Sequence, residues 1–454
     1  MIPPKPVARP DKVSLWRYLR LFRADILSAQ PARLYRAWMA EFRTPFFRSY
    51  LCNDPALVDL VLKERPGDFP KSDRVREGLA PLLGRSVFVT NGAEWEAQRR
   101  IIDPAFERGR LKETFPAMHA AALAARDRLI ARAGTEVEIE EEMSHAAADV
   151  IFRTLFSIPI ENRLAAEVFR EFRGYQRAQP LLNLAAFLPL PALLPRFHGG
   201  RTRASARAIR RLITRLTEER MAAIRAGEAP DDLATKIMTT PDPETGACFD
   251  TAEMVDQVAI FFLAGHETSA SALAWALYLL AVCPDAQDRV AAEAAAVGDQ
   301  QDFSMLSGLS FTRDVFREAL RLYPPVPMMV RENRCPERFR DRPLAPGAQI
   351  VLSPWHLHRH ERIWDQPDKF DPYRWQSRAG RDAARDGYLP FSAGPRVCPG
   401  AGFAMVEGPL ILALLVKHLR FAPVERAEPV PVAHLTVRSR NGIRIRVARR
   451  DATS

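Results

Sequence analysis

Leu15, Leu19, Phe22 and Ile26 recur at helical spacing between Arg17, Arg20 and Arg23 near the start of the chain. Apolar residues three and four apart line one face of a helix, so Ser14 to Phe42 reads as a basic amphipathic helix. Such a stripe docks a helix on a protein surface, or lays an Arg-rich one shallowly in a lipid headgroup layer as peripheral membrane contact through residues 14–42. The docked reading is the commoner in globular proteins. Strand-like runs are few and cluster near the two ends. They are Phe46–Cys52, then Gln349–Ser353 behind the turn Pro346-Gly347, then a tail in which Asn441-Gly442 separates Leu435–Arg440 from Ile443–Ala448. An Asn-Gly pair between alternating runs predicts a hairpin. Helical periodicity dominates residues 94 to 330. Within it, residues 199–227 form an Arg/Ala-rich helix with a solvated charged face, and residues 181–198 are apolar and broken by prolines. Asp250 and Glu253 have the spacing of a capping box, and Pro284 marks the end of the apolar helix that follows, about 48 Å long at 1.5 Å per residue.

The pattern is mainly α with a small β region. The length of 454 residues suggests about three domains as a prior. No repeat or domain-splitting linker interrupts the chain, so residues 1–454 read as one domain, with Pro-rich residues 1–13 as a flexible N-terminus. The net charge of +10 and pI near 9.6 admit nucleic acid, membrane or an acidic protein as partner. No Lys/Arg block is interleaved with aromatics as a single-strand binder requires, which sets nucleic acid aside. Cysteines stand at 52, 248, 283, 335 and 398 with no C-x-x-C pair, against a disulfide framework and a zinc site. Met1-Ile2-Pro3-Pro4-Lys5-Pro6 has no signal core. No uncharged apolar run reaches membrane-spanning length, since Glu267 interrupts the nearest one, residues 258–283. The expectation is a soluble, cytoplasmic monomer.

The densest chemical signal is Phe391-Ser392-Ala393-Gly394-Pro395-Arg396-Val397-Cys398-Pro399-Gly400, or F-x-x-G-x-R-x-C-x-G. A lone cysteine in a Gly/Pro loop is most often a small buried hydrophobe. Five fixed positions in one window arise by chance with a probability on the order of 10⁻⁴ in a chain this long. Each position has a task if Cys398 is a thiolate ligand to haem iron. Gly394 and Gly400 let the backbone pass close to a flat macrocycle in conformations other residues resist. Arg396 can meet a haem propionate through charge-assisted hydrogen bonds.

On these residues the chain resembles the cytochrome P450 superfamily, soluble haem-thiolate monooxygenases of bacterial type. The resemblance spans residues from about 85 to 445. It implies a single mainly-α prism around a long central helix, and haem b held by Cys398 within the Phe391 to Gly400 loop. Ala264-Gly265-His266-Glu267-Thr268 matches the family's [A/G]-G-x-[D/E]-T. By that match Ala264 and Gly265 leave room beside the helix for dioxygen, Thr268 hydrogen-bonds the bound oxygen, and Glu267 relays protons from solvent. On the residues alone, Thr268 could simply back-bond to the Ala264 carbonyl and Glu267 could face solvent. Glu318 and Arg321, with Arg374 from Phe370-Asp371-Pro372-Tyr373-Arg374-Trp375, match a buried structural network. Trp95, Arg99 and Arg331 match propionate-binding positions, and His358-Arg359 a structural run.

By position the resemblance also places Val87, Phe88, Leu181–Leu194, Phe261, Val326, Met328, Met329 and Leu435 around a hydrophobic substrate such as a fatty acid, terpenoid or steroid. Electrons come from an external donor, a ferredoxin or similar, and Arg378, Arg381, Arg385 and Arg396 offer it a positive face. The implied reaction inserts one atom of O2 into a C–H or C=C bond. The alternatives are a peroxide-driven hydroxylase, whose relatives replace the acid–alcohol pair by Arg and Pro, and a non-catalytic haem gas sensor.

Overall fold

A 31-residue helix, Thr251–Ala281, forms the axis of the computed structural model, which describes residues 1–43, 48–178, 200–298 and 301–450. The expected capping box closes its start: the Asp250 carboxylate accepts from Glu253 N at 2.8 Å, and the Glu253 carboxylate accepts from Asp250 N at 2.9 Å. A helix apolar on all sides must be covered on all sides, and from Met254 onward nearly every side chain is buried. The exceptions are Phe261, Ala264, Gly265 and Thr268, which fall on one side of the helix at 100° per residue.

Among the described residues, helices of ten residues or more are α1 (Leu15–Ala24), α2 (Asp73–Leu83), α3 (Gly92–Ile102), α4 (Arg108–Ala131), α5 (Ile139–Phe156), α6 (Arg163–Ala178), α7 (Gly200–Ala226), α8 (Thr251–Ala281), α9 (Pro284–Val297), α10 (Ser310–Leu322), α11 (Arg378–Gly387) and α12 (Ala401–His418). Helix α8 packs against α5, α7, α10 and α12. Strands β1 (Met39–Arg43), β2 (Arg48–Cys52), β4 (Met329–Glu332) and β7 (Gln349–Leu352) form a sheet in the order β1-β2-β7-β4. In it β2 and β7 run parallel, with Cys52 opposite Leu352, and the outer pairs are antiparallel. Strands β3 (Glu136–Glu138), β11 (Arg444–Arg449) and β8 (Leu419–Pro423) make a second sheet. Two-stranded pairs join β5 (Glu337–Phe339) to β6 (Arg342–Leu344) and β9 (Pro431–Ala433) to β10 (Val437–Ser439). The core runs through the helices: Trp275 of α8 stacks on Tyr323 with ring centroids 3.9 Å apart. Burying side chains of this size stabilises by roughly 1.5–3 kcal/mol each. Among the described residues, α12 is long and apolar enough to cross a membrane, and 67% of it is buried inside the fold.

Three expectations are corrected. The helix expected over 14–42 stops at Ala24. Buried Asp25 takes N–H bonds from Leu27, Ser28 and Ala433, and such local side-chain bonding competes with the helix. Pro31 follows, Ala32–Tyr35 form one 3₁₀ turn, and Met39–Phe42 lie in β1. The Pro-rich N-terminus is tied down. Its carbonyls accept from the body, Met1 from Phe370 N at 3.0 Å and Pro4 from Tyr323 Oη at 2.7 Å, and Arg9 N donates to the Gln30 carbonyl. The tail is not a hairpin, because β10 pairs with β9 and β11 pairs with β3 and β8. A two-residue type I′ turn needs positive φ at both central residues. Gly442 has φ +75°, but Asn441 is not in that region. Instead the Asn441 side chain accepts from Val430 N at 2.8 Å and donates to the Glu428 carbonyl at 3.0 Å. Residues 46–47 and 181–198 lie outside the described residues, apart from which β2, β7 and α7 stand where the sequence put them.

Candidate active site

Cys398 sits between a 3₁₀ turn, Gly394–Arg396, and the start of α12. Its N–H donates to the Phe391 carbonyl at 2.9 Å, and its carbonyl accepts from Ala401 N at 3.2 Å. The loop is folded back on itself by both ends of the cysteine's peptide unit. Gly394 is required there: its φ is +64°, and a Cβ would lie 1.9 Å from the Leu62 carbonyl oxygen. Gly400 has an ordinary φ of −79°, and a Cβ there would only touch Cys398 Sγ at 3.8 Å. The special backbone expected at both glycines therefore exists at one. Burial pushes the Cys398 thiol up, while the Gly400 N–H and the Arg99 charge pull it down.

Beside the thiol stands a cluster of cations with too few anions. Arg99 of α3 donates from Nη1 to the Val397 carbonyl at 2.8 Å and pairs with Asp103 at 2.7 Å. Arg99, Arg396 and Lys71 all lie over the buried Trp95 ring, at 5.8, 5.3 and 5.5 Å from its centroid. Lys71 was not expected from the sequence. It donates to the Val87 and Thr90 carbonyls, and burial together with Arg331, Arg396 and Arg99 lowers its pKa far below the ordinary value. Arg331 on β4 is buried, which with Arg396 pulls it down to about 10. The Nε atoms of Arg331 and Arg396 are buried and unpartnered among the described residues. Buried cations left like this are costly. The arrangement is built to receive an anionic group next to Cys398, and the two propionates of haem fit it.

On α8 the candidate residues divide between faces. Ala264 is exposed, and Thr268, one turn on, donates from Oγ1 to the Ala264 carbonyl at 2.6 Å. Gly265 does not open space as expected: a Cβ there would lie 2.4 Å from Ile151 Cδ1. Its missing side chain lets α5 approach α8. Glu267 is buried rather than facing solvent. Its Oε1 accepts from Thr436 Oγ1 and from Arg438 Nη2, the latter at 2.5 Å. A cavity of about 180 Å³ reaches Glu267 and is also lined by Glu140, Ser144, Arg173, His266 and Arg438. Burial raises Glu140 to about 7, and holds His266 neutral with a pKa near 3.

The family model described as cytochrome P450 matches residues 43–446. The chain belongs to the cytochrome P450 family. It is 33% identical over 427 residues to cyclooctat-9-en-7-ol 5-monooxygenase of Streptomyces melanosporofaciens, covering 91% of this chain and 87% of that one. It is also 29% identical over 425 residues to a cytokinin hydroxylase of Arabidopsis thaliana, covering 90% and 82%. Human cytochrome P450 4A11 is 29% identical over 417 residues, covering 87% and 79%. This P450 is a haem-thiolate monooxygenase that depends on iron protoporphyrin IX.

The P450's buried ion network forms as the sequence suggested. Arg321 meets both Glu318 oxygens at 2.9 Å, and Arg374 Nε meets Oε1 at 3.0 Å. Burial would raise the Glu318 carboxyl, but Arg321 and Arg374 outweigh it and hold the value below normal. Arg321 and Arg374 spend their other N–H groups on carbonyls of His358, Pro367, Lys369 and Asp365. The link to the cysteine loop runs through His358. Its Nδ1 faces the Arg321 carbonyl at 3.1 Å, and its Nε2 accepts from Leu389 N at 2.8 Å, which fixes the proton on Nδ1.

The expected substrate residues are spread over four segments. Phe261 packs on Phe106 with centroids 5.7 Å apart, on the same side of α8 as Ala264. Val87 is buried and donates its N–H to Gln257 of α8, whereas Phe88 is 41% exposed. Val326, Met328 and Leu435 are half-buried, and Met329 packs into the separate core beneath the four-stranded sheet. Leu181–Leu194 lie outside the described residues. Sequence reading also missed Thr436, Arg438 and Glu407. The last is buried on α12, nine residues after Cys398, and accepts from Ser269 Oγ at 2.9 Å. Thr436 and Arg438 carried only a weak signal, the alternation of the run from Leu435 to Arg440.

Proposed function

We propose that this P450 hydroxylates an apolar, terpenoid-sized substrate, with Cys398 as the axial thiolate and Lys71, Trp95, Arg99, Arg331 and Arg396 holding the propionates. The cation cluster beside Cys398, with buried guanidinium nitrogens left unpartnered, carries the reading. Haem b so held supplies dioxygen and one-electron chemistry, and its thiolate favours O–O cleavage. The balanced reaction is R–H + O2 + 2 e⁻ + 2 H⁺ → R–OH + H2O. The chain must therefore deliver two protons to a dry, apolar chamber. Glu267 Oε1 is placed to take them from the cavity on its outer side. Thr268 Oγ1, on the Ala264 side, is placed to donate once it releases the Ala264 carbonyl. Phe261, Val87, Val326, Met328 and Leu435 would exclude water around the substrate, with Phe88 and Met329 contributing at the edges.

Fatty acids, terpenoids and steroids all suit apolar walls. The relative named for cyclooctat-9-en-7-ol favours a cyclic terpenoid-like compound. Electrons would come from an acidic ferredoxin-like protein. Arg378, Arg381 and Arg385 of α11 are its candidate contacts, though Asp382 already pairs with Arg378 and Arg385. Arg396, expected on that face, turns inward to the Pro66 and Phe69 carbonyls. A cytoplasmic monomer suits this arrangement. The test is Thr268→Ala. Oxygen consumption should continue while product per O2 falls severalfold. Unchanged coupling would point to a peroxide-driven route, and no turnover by either protein across a lipid and terpenoid panel would point to gas sensing.

A further inference from the structure

Helix α1 uses one face to join the fold and leaves the other without a partner among the described residues. Tyr18, Leu19, Leu21 and Phe22 are half-buried, and Phe22 packs against the main core. At 100° per residue, Trp16, Arg20 and Arg23 fall together on the outward side, flanked by Arg17 and Ala24, and all five are exposed. Trp16 is 84% exposed. The helix contains no acidic residue, and among the described residues no ion pair takes Arg17, Arg20 or Arg23. Residues 1–36 carry eight Lys or Arg against two Asp. Of these, Asp25 is buried within the fold and Asp11 pairs with Arg33. The N-terminal strap runs alongside: Arg9 lies 5.7 Å over the Tyr18 ring, and Val7, two residues earlier, is 85% exposed.

We propose that this face of α1 seats the enzyme on an anionic lipid surface. An indole among arginines has the chemistry of a bilayer interface, where the ring sits at headgroup level and the guanidinium groups meet phosphates. The charge is of the right sign, and Leu19, Leu21 and Phe22 of α1 are turned toward the protein and half-buried there, so only shallow contact is built. An acidic protein would also attract these arginines. A stable protein interface needs about 800 Å² on each partner with an apolar centre, whereas this face is one helix about 15 Å long with one large apolar side chain.

The test is sedimentation of the purified full chain with vesicles of phosphatidylcholine alone or mixed with phosphatidylglycerol. The wild type should partition to the phosphatidylglycerol vesicles, and less so as salt rises. Arg17→Gln, Arg20→Gln and Arg23→Gln should each weaken partitioning about fivefold and together about a hundredfold. Trp16→Ser should weaken it severalfold at both salt levels. All four positions are exposed, so thermal melting should not move. Wild-type chain that ignores anionic vesicles, or a triple variant that binds like wild type, would overturn the proposal. Loss of ferredoxin binding in the triple variant without vesicle binding by the wild type would make the face a protein dock and overturn it as well.

Discussion

Glu407→Gln isolates a buried acid that the sequence did not announce. Glu407 is 4% exposed, its Oε1 has no partner among the described residues, and its Oε2 is held by Ser269. Burial pushes its carboxyl up to about 8 from an ordinary 4.5, and the Ser269 hydroxyl offsets only part of this. The folded chain thus binds this proton more tightly than the unfolded chain does. Stability from that difference is complete below about pH 4.5, declines through the interval, and is fully lost above about pH 8. At 1.36 kcal/mol for each pH unit, the decline is at most about 5 kcal/mol. Gln keeps the shape and cannot ionise. Wild type and variant should therefore unfold at similar urea concentrations near pH 5, and the variant should become the more resistant as pH approaches 8.5. Infrared spectra at pH 7 should show a protonated-carboxyl band that Glu407→Gln removes. Parallel pH profiles for the two proteins, with no band lost, would refute the reasoning.

Arg374→Ala leaves Glu318 buried with one cation fewer and frees the Asp365 carbonyl. It should cost about 3–5 kcal/mol, read as an earlier thermal transition, with haem incorporation falling in step. Arg331→Ala removes a buried donor from the cation cluster proposed to hold the propionates. Transfer of haem to an apo-globin scavenger should quicken about tenfold or more, the equivalent of one charged hydrogen bond. Arg438→Gln removes the cation paired with Glu267 Oε1 and leaves Thr436 as the carboxylate's donor there. Product formation per O2 should fall severalfold as the carboxylate loses its fixed orientation, while substrate-binding spectra stay unchanged.

What the sequence made legible was whatever depended on neighbours along the chain. The capping box of α8, the Cys398 loop and the Glu318–Arg321 pair are local patterns, and all three form. Arg374 was reachable because its own motif is local, although its partner lies 56 residues away. The failures share one cause, which is competition from elements distant in sequence. Asp25 ends α1 partly because Ala433 N, far down the chain, needs an acceptor. Asn441-Gly442 looked like a hairpin, but β10 and β11 found better partners in β9 and β8. Gly265 looked like room for a ligand, yet its reason is Ile151 on α5. Lys71 gave no signal, because a single lysine after a proline acquires meaning only when Trp95 and three arginines fold around it.

Glu267, Thr268 and Ser269 are consecutive, and consecutive helical residues point about 100° apart. They cannot act as one cluster, and the fold answers each separately. Glu267 turns to Thr436 and Arg438 on the C-terminal segment, Thr268 to the Ala264 side, and Ser269 to Glu407 on α12. The acid and the alcohol therefore do not hand a proton to one another by direct contact. Something must carry it around the helix, and the cavity at Glu267, about 180 Å³ and lined by polar groups, has room for several waters. In the proposed mechanism Glu267 is the inner end of a water file, and Thr268 governs what reaches the Ala264 side. Substituting either one should then change coupling by a different route. Loss of Glu267 should slow proton supply and enlarge the solvent isotope effect. Loss of Thr268 should misdirect protons without slowing their arrival.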